Sequence, residues 1–401
     1  MTMSFGFSTA LRCLNCDAEY PLESVGYFCP QCKLDGALDV EYDYGAAAPV
    51  FAKALGEKTR AFDMWRYRTL LPVGLEYAPK PHTGGTPFYQ LPMRGDGLVF
   101  IKDDSRNPSG SLKDRASALA VALARHQGVG TIAAASTGNA AAALACMTAG
   151  SDLRCVIFAP TSTAREKLVQ IRAYGADVVQ VSGGYDEAFA ACLEACEKHG
   201  WYNRSTGINS YMTEGKKTVA FEIFEQLGWA VPDRIFVPVG NGCIVGAVYK
   251  GFEELRRMGL TGHMPQIMGA QAEGSDYMYR AWVQGEGPHH AERKMAKTSA
   301  SSISVVLPRD RIKAFRAIEA TGGQFVRVSD AEIFQRQIEL ARESGVFAEP
   351  GAVAAYAAAQ KFGSAQRDET TVILITGSGL KDVGGLLSSG VLDHARLSEA
   401  A

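Results

Sequence analysis

A turn followed by a helix is encoded by the stretch Asn107-Pro108-Ser109-Gly110-Ser111-Leu112-Lys113-Asp114-Arg115, which leads into an alanine-rich segment at 116–125. Pro, Gly and Ser favour the turn, and the alanines favour the helix. Lys113 stands where the helix begins. A lysine there is either a solvated surface charge or an amine that forms a Schiff base, because desolvation readily lowers the pKa of lysine. The rest of the chain has to decide between these two interpretations.

Short apolar and β-branched runs alternate with longer helical segments over most of the chain. The predicted strands are 98–102, 131–135, 153–159, 177–181, 234–239 and 370–375. This alternation predicts an open α/β architecture with mostly parallel sheets. A length of 401 residues with 47% hydrophobic content allows two packed domains and a small extra module.

Composition excludes several classes of partner. The formal net charge is −2 with acids and bases interspersed, which argues against nucleic-acid or membrane binding and favours a small-molecule substrate. No segment of about 18 apolar residues predicts a membrane span, and the first residues do not resemble a secretion signal. An odd number of cysteines, nine, fits a reducing compartment, so we expect a cytoplasmic protein.

Four of the cysteines form two C-x-x-C pairs, Cys13 with Cys16 and Cys29 with Cys32. This is the spacing that places four thiolates around a tetrahedral metal. It predicts a zinc-ribbon-like module over residues 1–42, where zinc supplies folding energy that so short a segment lacks. A ribbon that keeps its cysteines without metal and a redox pair are the alternatives.

A loop of small residues follows the predicted strand 131–135 and consists of Ser136, Thr137, Gly138 and Asn139. An alanine-rich helix comes next, so its amino terminus and the loop amides can bind a substrate carboxylate. The alternative is that Ser136 only caps the helix.

Two further strand ends carry polar or small residues. Gly240, Asn241, Gly242 and Cys243 follow strand 234–239 and open a helix, which suits a phosphate monoester. A dinucleotide site is less well matched, because no acidic residue ends a following strand about 20 residues on. Thr376 follows strand 370–375, and its neutral hydroxyl can meet a ring nitrogen.

A candidate imine lysine, a carboxylate loop, a phosphate loop and a hydroxyl at a strand end are together the parts that hold pyridoxal 5'-phosphate. The lysine stretch 107–115, the loop Ala135-Ser136-Thr137-Gly138-Asn139 and Thr83-Gly84-Gly85-Thr86-Pro87 resemble motifs of the tryptophan synthase β-like family of pyridoxal phosphate enzymes, known as fold type II. Within that family, the cysteine pairs, the stretch Glu214-Gly215-Lys216-Lys217-Thr218 and residues 376–382 resemble the threonine synthases.

The resemblance implies a fold and a set of roles. Lys113 would form the Schiff base and act as the base, and Asn139 would face the cofactor's ring hydroxyl. Gly240, Asn241, Gly242 and Cys243 would hold the cofactor phosphate, and Thr376 would meet the pyridine nitrogen. Ser136, Thr137, Gly138 and Asn139 would bind the substrate carboxylate. The implied reaction is that of a lyase, from O-phosphohomoserine and water to threonine and phosphate.

One position departs from the threonine synthase pattern. Those enzymes usually carry Asn-Pro-x-Arg before the E-G-x-K-T stretch, and the arginine helps hold the substrate phosphate, whereas this chain has Asn209-Ser210-Tyr211-Met212. Losing a charge-assisted contact of that kind costs about 1.5–3 kcal/mol. Either Lys216, Lys217 or Arg204 compensates, or the substrate lacks a phosphate. In the second case the chain is a related elimination or replacement enzyme, such as a threonine or serine dehydratase or a cysteate synthase. A non-catalytic binding protein is the remaining alternative, and the intact Lys113 argues against it.

We expect three parts in the chain. The ribbon-like module spans 1–42, a discontinuous large cofactor-binding domain spans 43–120 and 213–401, and a small substrate-loop domain spans 121–212. The resemblance also implies a homodimer.

Overall fold

The computed structural model describes residues 6–22, 26–33, 35–57, 61–92, 97–163, 165–205, 207–289, 291–363 and 369–392. None of the helices in these ranges combines the length and apolar character that a bilayer crossing requires. The chain forms two compact units. Unit 1 takes its residues from 1–85, 107–228 and 246–263, and unit 2 takes its residues from 86–106, 229–245 and 264–401.

The strands in chain order are β1 (Ser8–Cys13), β2 (Glu19–Tyr20), β3 (Leu38–Tyr42), β4 (Phe88–Gln90), β5 (Leu98–Asp103), β6 (Thr131–Ala135), β7 (Arg154–Pro160), β8 (Asp177–Val181), β9 (Tyr202–Asn203), β10 (Arg234–Pro238), β11 (Gln266–Ala272), β12 (Gln324–Val328) and β13 (Thr370–Ile375). The helices are α1 (Tyr44–Gly56), α2 (Lys113–His126), α3 (Asn139–Thr148), α4 (Arg165–Ala173), α5 (Tyr185–His199), α6 (Tyr211–Gln226), α7 (Cys243–Arg257), α8 (Tyr277–Val283), α9 (Arg311–Ala320), α10 (Asp330–Ser344), α11 (Pro350–Phe362) and α12 (Val383–Ser388). Each of the six predicted strands is present, with ends that match or shift by one residue.

Unit 1 contains a small antiparallel sheet, in the order β2-β1-β3, and a larger parallel sheet, in the order β8-β7-β6-β9. The two central strands of the parallel sheet, β6 and β7, are nearly continuous apolar runs, as expected for strands covered on both faces. Most alanines of α2 and α3 are buried in a common core with Ile132 and Ile157. Their small side chains let helices and sheet approach closely, as parallel α/β packing requires.

Close packing between α2 and α6 depends on one glycine. A side chain at Gly215 would place its Cβ 3.0 Å from the Cα of Ala116 and closer still to the carbonyl of Arg115. Since real Cβ atoms do not approach a backbone so closely, Gly215 sets the distance between the two helices. The glycine of the E-G-K-K-T stretch therefore serves the packing of the helix that begins at Lys113.

Unit 2 is built on one sheet in the order β12-β11-β10-β13-β5-β4. The first five strands are parallel and only β4 runs antiparallel, at the edge. Its core gathers around α11, whose alanines pack against strands β10, β11 and β13. Because β10 and β13 are parallel neighbours, the residues that follow them lie at the same edge of the sheet. The mostly parallel α/β architecture expected from the sequence is confirmed.

Candidate active site

Lys113 is the first residue of α2 and is partly buried. The turn before it is fixed locally, since Gly110 has a φ of +85° and donates its amide to the carbonyl of Asn107 at 2.8 Å. Asp114 accepts from the Ser109 amide at 2.6 Å and from the Ser109 hydroxyl. Within the described ranges, the Lys113 ammonium has no hydrogen-bond or ion-pair partner. The structure thus holds the backbone of Lys113 firmly and leaves its amine uncommitted.

Arg115, two residues after Lys113, anchors α2 to α6. The Arg115 guanidinium binds Glu222 through both of its terminal nitrogens, at 2.5 and 2.9 Å, and both side chains are completely buried. Glu222 also accepts from the amide of Gly85 at 2.9 Å, and the Gly84 amide donates to the side chain of Asn107 at 2.9 Å. The T-G-G-T-P glycines therefore bind the first residue of the lysine turn and the carboxylate that pairs with Arg115.

The loop Ser136–Asn139 lies at the carboxyl end of β6. Ser136 accepts from the Gly138 amide at 3.3 Å, and Gly138 caps α3 by accepting from the amides of Ala141 and Ala142. Gly138 is the N-cap, so the interpretation of Ser136 as nothing more than a cap is wrong. The amides of the first two residues of a helix have no acceptor within it, and they attract anions. Since Gly138 is exposed and Asn139 is buried, the loop can bind a carboxylate from the solvent side.

The loop Gly240–Gly242 lies in unit 2 and joins β10 to α7, and Cys243 is the first residue of that helix. Gly242 has a φ of +95°, and a Cβ there would lie 2.7 Å from the carbonyl oxygen of Asp310. Asn241 fixes the loop in two ways, accepting from the amide of Asp310 at 2.9 Å and, through its side chain, from that of Arg309 at 3.2 Å. The glycines are thus demanded by backbone crowding, and the helix start behind them suits a phosphate group.

Thr376 follows β13 at the same sheet edge as this loop and is 5% exposed. Its hydroxyl has no hydrogen-bond partner in the part of the chain that the structure describes. A hydroxyl without a protein partner can donate to or accept from a polar atom of a bound group. A neutral hydroxyl beside a loop that suits a phosphate group could hold the ring nitrogen and the phosphate of pyridoxal phosphate.

The structure also settles where Met212 and its neighbouring cations lie. Met212 is 2% exposed and belongs to the apolar core that contains α2 and α3. Lys217 is fully buried and pairs with Glu214 and Glu254, so it is already neutralised within unit 1. Arg204 is fully buried and donates to the hydroxyl of Ser117 at 3.0 Å. The proposal that Lys217 replaces the missing arginine is therefore wrong.

Sequence reasoning missed the buried charge cluster that Lys217 belongs to, which we define as Tyr42, Glu214, Lys217, Lys250 and Glu254. The Tyr42 hydroxyl donates to Glu214 at 2.7 Å, and Lys250 binds Glu214 at 2.7 Å. Burial, reinforced by the nearby Glu214 charge and opposed by both lysines, raises the pKa of Glu254 to about 7. The spacing of Lys250 and Glu254 on one helix was visible in the sequence, but their distant partners were not.

The four cysteines of the predicted ribbon converge. Their Sγ atoms all lie within 4.8 Å of one another, and those of Cys16 and Cys29 are 3.7 Å apart. Each pair sits on a tight turn, in which Asp17 and Lys33 adopt positive φ values of 58° and 52°. Four sulfurs at these separations match the donor set and spacing of a tetrahedral metal site.

The chain belongs to the family of pyridoxal-phosphate dependent enzymes, and the sequence model of that family matches residues 79–377. It is 38% identical over 380 residues to the threonine synthase of Methanosarcina acetivorans, covering 93% of this chain and 92% of that protein. With the threonine synthase of Methanocaldococcus jannaschii it shares 36% identity over 382 residues, covering 92% of each chain.

Among solved structures, the chain resembles the processed form of threonine deaminase isoform 2 from Solanum lycopersicum, with a TM-score of 0.65, 20% identity and coverage of 88% of this chain and 87% of that one. It also resembles maize serine racemase, with a TM-score of 0.64, 20% identity and coverage of 79% and 93%. At such identities these likenesses establish the fold alone, which is that of the fold type II enzymes.

Proposed function

We propose that the protein is a threonine synthase, a pyridoxal phosphate-dependent lyase that converts O-phosphohomoserine and water into threonine and phosphate. The observation that carries this proposal is the near-full-length similarity to two proteins named threonine synthase, at 36–38% identity. The uncommitted Lys113 amine at the start of α2 supports it, because an enzyme of this class needs a lysine free to react.

The proposed roles are assigned residue by residue. Lys113 would bind the cofactor's carbonyl carbon, and Asn139 would face its ring hydroxyl. The amides of Gly240, Asn241, Gly242 and Cys243 would hold its phosphate, and the Thr376 hydroxyl would meet its pyridine nitrogen. When bound, the cofactor supplies an electron sink for the α carbon of an amino acid.

The chain's own residues would perform the remaining work. Amides of the loop Ser136–Asn139 would bind the substrate carboxylate and so fix the orientation of the α carbon. The Lys113 amine would take the α-proton from the bound amino acid and return protons later in the reaction. Because the Lys113 backbone is held by Gly110 and Asp114, its amine would meet the same substrate atom in each turnover.

The test is to incubate the purified holoenzyme with O-phosphohomoserine and to measure both phosphate and threonine. We expect the two products in equal amounts. Phosphate without threonine, or neither product, would overturn the proposal.

A second candidate is an elimination or replacement enzyme acting on an amino acid without a phosphate group, such as a threonine or serine dehydratase, or a cysteate synthase. The core position of Met212 and the neutralised state of Lys217 favour it, since neither side chain offers a charge to a substrate phosphate. Formation of a 2-oxo acid from threonine or serine, with no phosphate release from O-phosphohomoserine, would select a dehydratase.

We propose further that Cys13, Cys16, Cys29 and Cys32 bind one zinc ion in a ribbon-like module over residues 1–42. Support comes from the convergence of the four Sγ atoms within 4.8 Å. Metal analysis of the purified protein should find about one zinc per chain, and Cys16→Ser should lower that content. Cys146→Ser, which changes a cysteine of the apolar core, should not.

We also propose the two domains expected from the sequence. The large cofactor-binding domain spans 43–120 and 213–401, and the small domain, 121–212, closes over the substrate. We also propose a cytoplasmic homodimer. The compartment is supported by five cysteines outside the C-x-x-C pairs, which suit a reducing environment. Sedimentation should give twice the chain mass of 43.0 kDa.

A further inference from the structure

Strand β9 is the edge strand of the parallel sheet in unit 1. It is capped by Tyr27, which lies between the two C-x-x-C pairs in the four-cysteine module, residues 1–42. Arg204 donates its amide inward to the carbonyl of Ala133 on β6 at 2.8 Å. The preceding amide, of Asn203, points to the outer side of the edge and donates to the hydroxyl of Tyr27 at 2.8 Å. Without Tyr27 this amide would lose its hydrogen-bond acceptor, although Asn203 is only 1% exposed.

The segment that Tyr27 caps leads directly to the loop proposed to bind the substrate carboxylate. The side chain of Asn203 accepts from the amide of Ser205 at 2.8 Å. The hydroxyl of Ser205 in turn accepts from the amide of Ala135 at 3.2 Å. Ala135 is the last residue of β6 and immediately precedes the loop Ser136–Asn139. Three consecutive hydrogen bonds therefore join Tyr27 to the base of the substrate loop.

Packing reinforces this connection. Tyr27 and Phe28 both pack against the apolar cluster that includes Ala133, Ala135 and Phe158. The amide of the next residue, Cys29, is fixed by the carbonyl of Gly36 at 3.1 Å. A shift of the second cysteine turn would consequently move Tyr27 and the cap on β9 together.

We propose that Tyr27 is a positioning residue for the substrate loop Ser136–Asn139, through which the four-cysteine module sets how tightly the substrate carboxylate is bound. This inference rests on the proposed role of that loop. It requires no contact between Tyr27 and the substrate, because the effect passes through Asn203, Ser205 and Ala135.

The test compares the wild-type holoenzyme with Tyr27→Phe, which removes only the hydroxyl. Loss of one buried hydrogen bond corresponds to a change of about three- to tenfold. We expect KM for O-phosphohomoserine to rise by about that factor, with kcat changed by less than about twofold. Hydrogen exchange should become faster by a similar factor in peptides that contain Ala135 and Asn203.

Two further variants complete the design. Ser205→Ala removes the acceptor of the Ala135 amide without touching the cysteine module, and it should reproduce both effects even if Tyr27→Phe fails to fold. Tyr356→Phe is the matched control, since its hydroxyl donates to Glu343 within unit 2 and the variant should leave KM and the exchange of both peptides unchanged.

The outcomes separate this inference from the proposed function. If the wild type does not consume O-phosphohomoserine, the function is wrong, and the exchange of the Ala135 peptide still tests the connection to Tyr27. Unchanged exchange in both Tyr27→Phe and Ser205→Ala would overturn the inference. Faster exchange with an unchanged KM would overturn it as well, because substrate binding would then not depend on this positioning.

Discussion

The candidate site residues of the two units are supported by different physical means. In unit 1, Lys113 begins a helix that is anchored by the fully buried pair Arg115–Glu222, and the neighbouring α6 carries Lys217 between two buried carboxylates. In unit 2, the loop Gly240–Gly242 is shaped by backbone crowding and by the amide contacts of Asn241. We infer that substitutions will damage unit 1 mainly through uncompensated charge and unit 2 mainly through shape.

The largest expected effect is at the reacting group itself. Lys113→Ala should lower kcat for threonine formation by on the order of 10²–10⁴, since it removes the proposed base. It should also abolish the absorption band of the cofactor joined to Lys113. Activity is measured by phosphate release. The control is Lys53→Ala, which changes an exposed lysine of α1 and should behave like the wild type. A Lys113→Ala variant with wild-type turnover would refute the assignment.

The buried pair of unit 1 should show the cost of uncompensated charge. Glu222→Gln leaves the Arg115 guanidinium buried without a counter-charge, and we expect a loss of about 3–5 kcal/mol in the free energy of unfolding. Urea denaturation measures it. In Asp177→Asn, which breaks a pair with Arg154 whose side chains are more than half exposed, the loss should stay below about 1 kcal/mol. Equal losses in the two variants would contradict the comparison.

The buried charge cluster should impose a pH dependence on unit 1. Because the pKa of Glu254 is raised from 4.5 in the unfolded chain to about 7 in the folded one, the folded state binds more protons between those values. Stability from this group is therefore present below about pH 4.5 and is lost as the pH rises to about 7, by up to about 3 kcal/mol.

Glu254→Gln should flatten that dependence, as measured by urea midpoints at pH 5 and pH 8. The control is Glu253→Gln, whose carboxylate pairs with Arg256 on the helix surface at 2.7 Å and should leave the slope as it is. A slope that persists in Glu254→Gln would place the titrating group elsewhere.

The smallest of these effects is expected in the loop of unit 2. Gly242→Ala introduces a Cβ at a φ of +95° and 2.7 Å from the Asp310 carbonyl, so the loop must shift. Strain of about 1–3 kcal/mol should weaken pyridoxal phosphate binding by roughly tenfold or more, measured as the Kd of the cofactor. Gly262→Ala meets no atom within 4 Å and should bind the cofactor like the wild type. Equal affinities for all three proteins would remove the proposed role of this loop.

Local sequence patterns were sufficient for much of the fold. The strands at 131–135, 177–181 and 370–375 have the predicted ends, because each is a short apolar run between polar turns. Strand β11 was missed, since its sequence Gln-Ile-Met-Gly-Ala-Gln-Ala has a single β-branched residue and becomes a strand through pairing with β10 and β12. Pairing of this kind depends on distant segments, which no local window contains.

The candidate site likewise has features that local sequence predicts and features that depend on distant residues. The convergence of the four cysteines followed from their spacing, and the glycine loops followed from their composition. The distant partner of Lys217 could not be predicted, because Glu254 lies 37 residues further along the chain and on another helix. Whether a cation is available to a substrate depends on such distant partners, which is why the sequence left open what replaces the arginine expected at Met212.

The buried charge cluster also limits how the chain can change over evolution. Strand β3 contributes the Tyr42 hydroxyl and the Val40 carbonyl, which bind Glu214 and Lys250 respectively, at 2.7 and 2.6 Å. Replacing one charged residue of this cluster at a time leaves a buried charge without its partner. Tolerated substitutions must therefore occur in combination. For the same reason, the segment that ends at Tyr42 cannot be exchanged for an unrelated module by recombination unless α6 and α7 are rewritten with it.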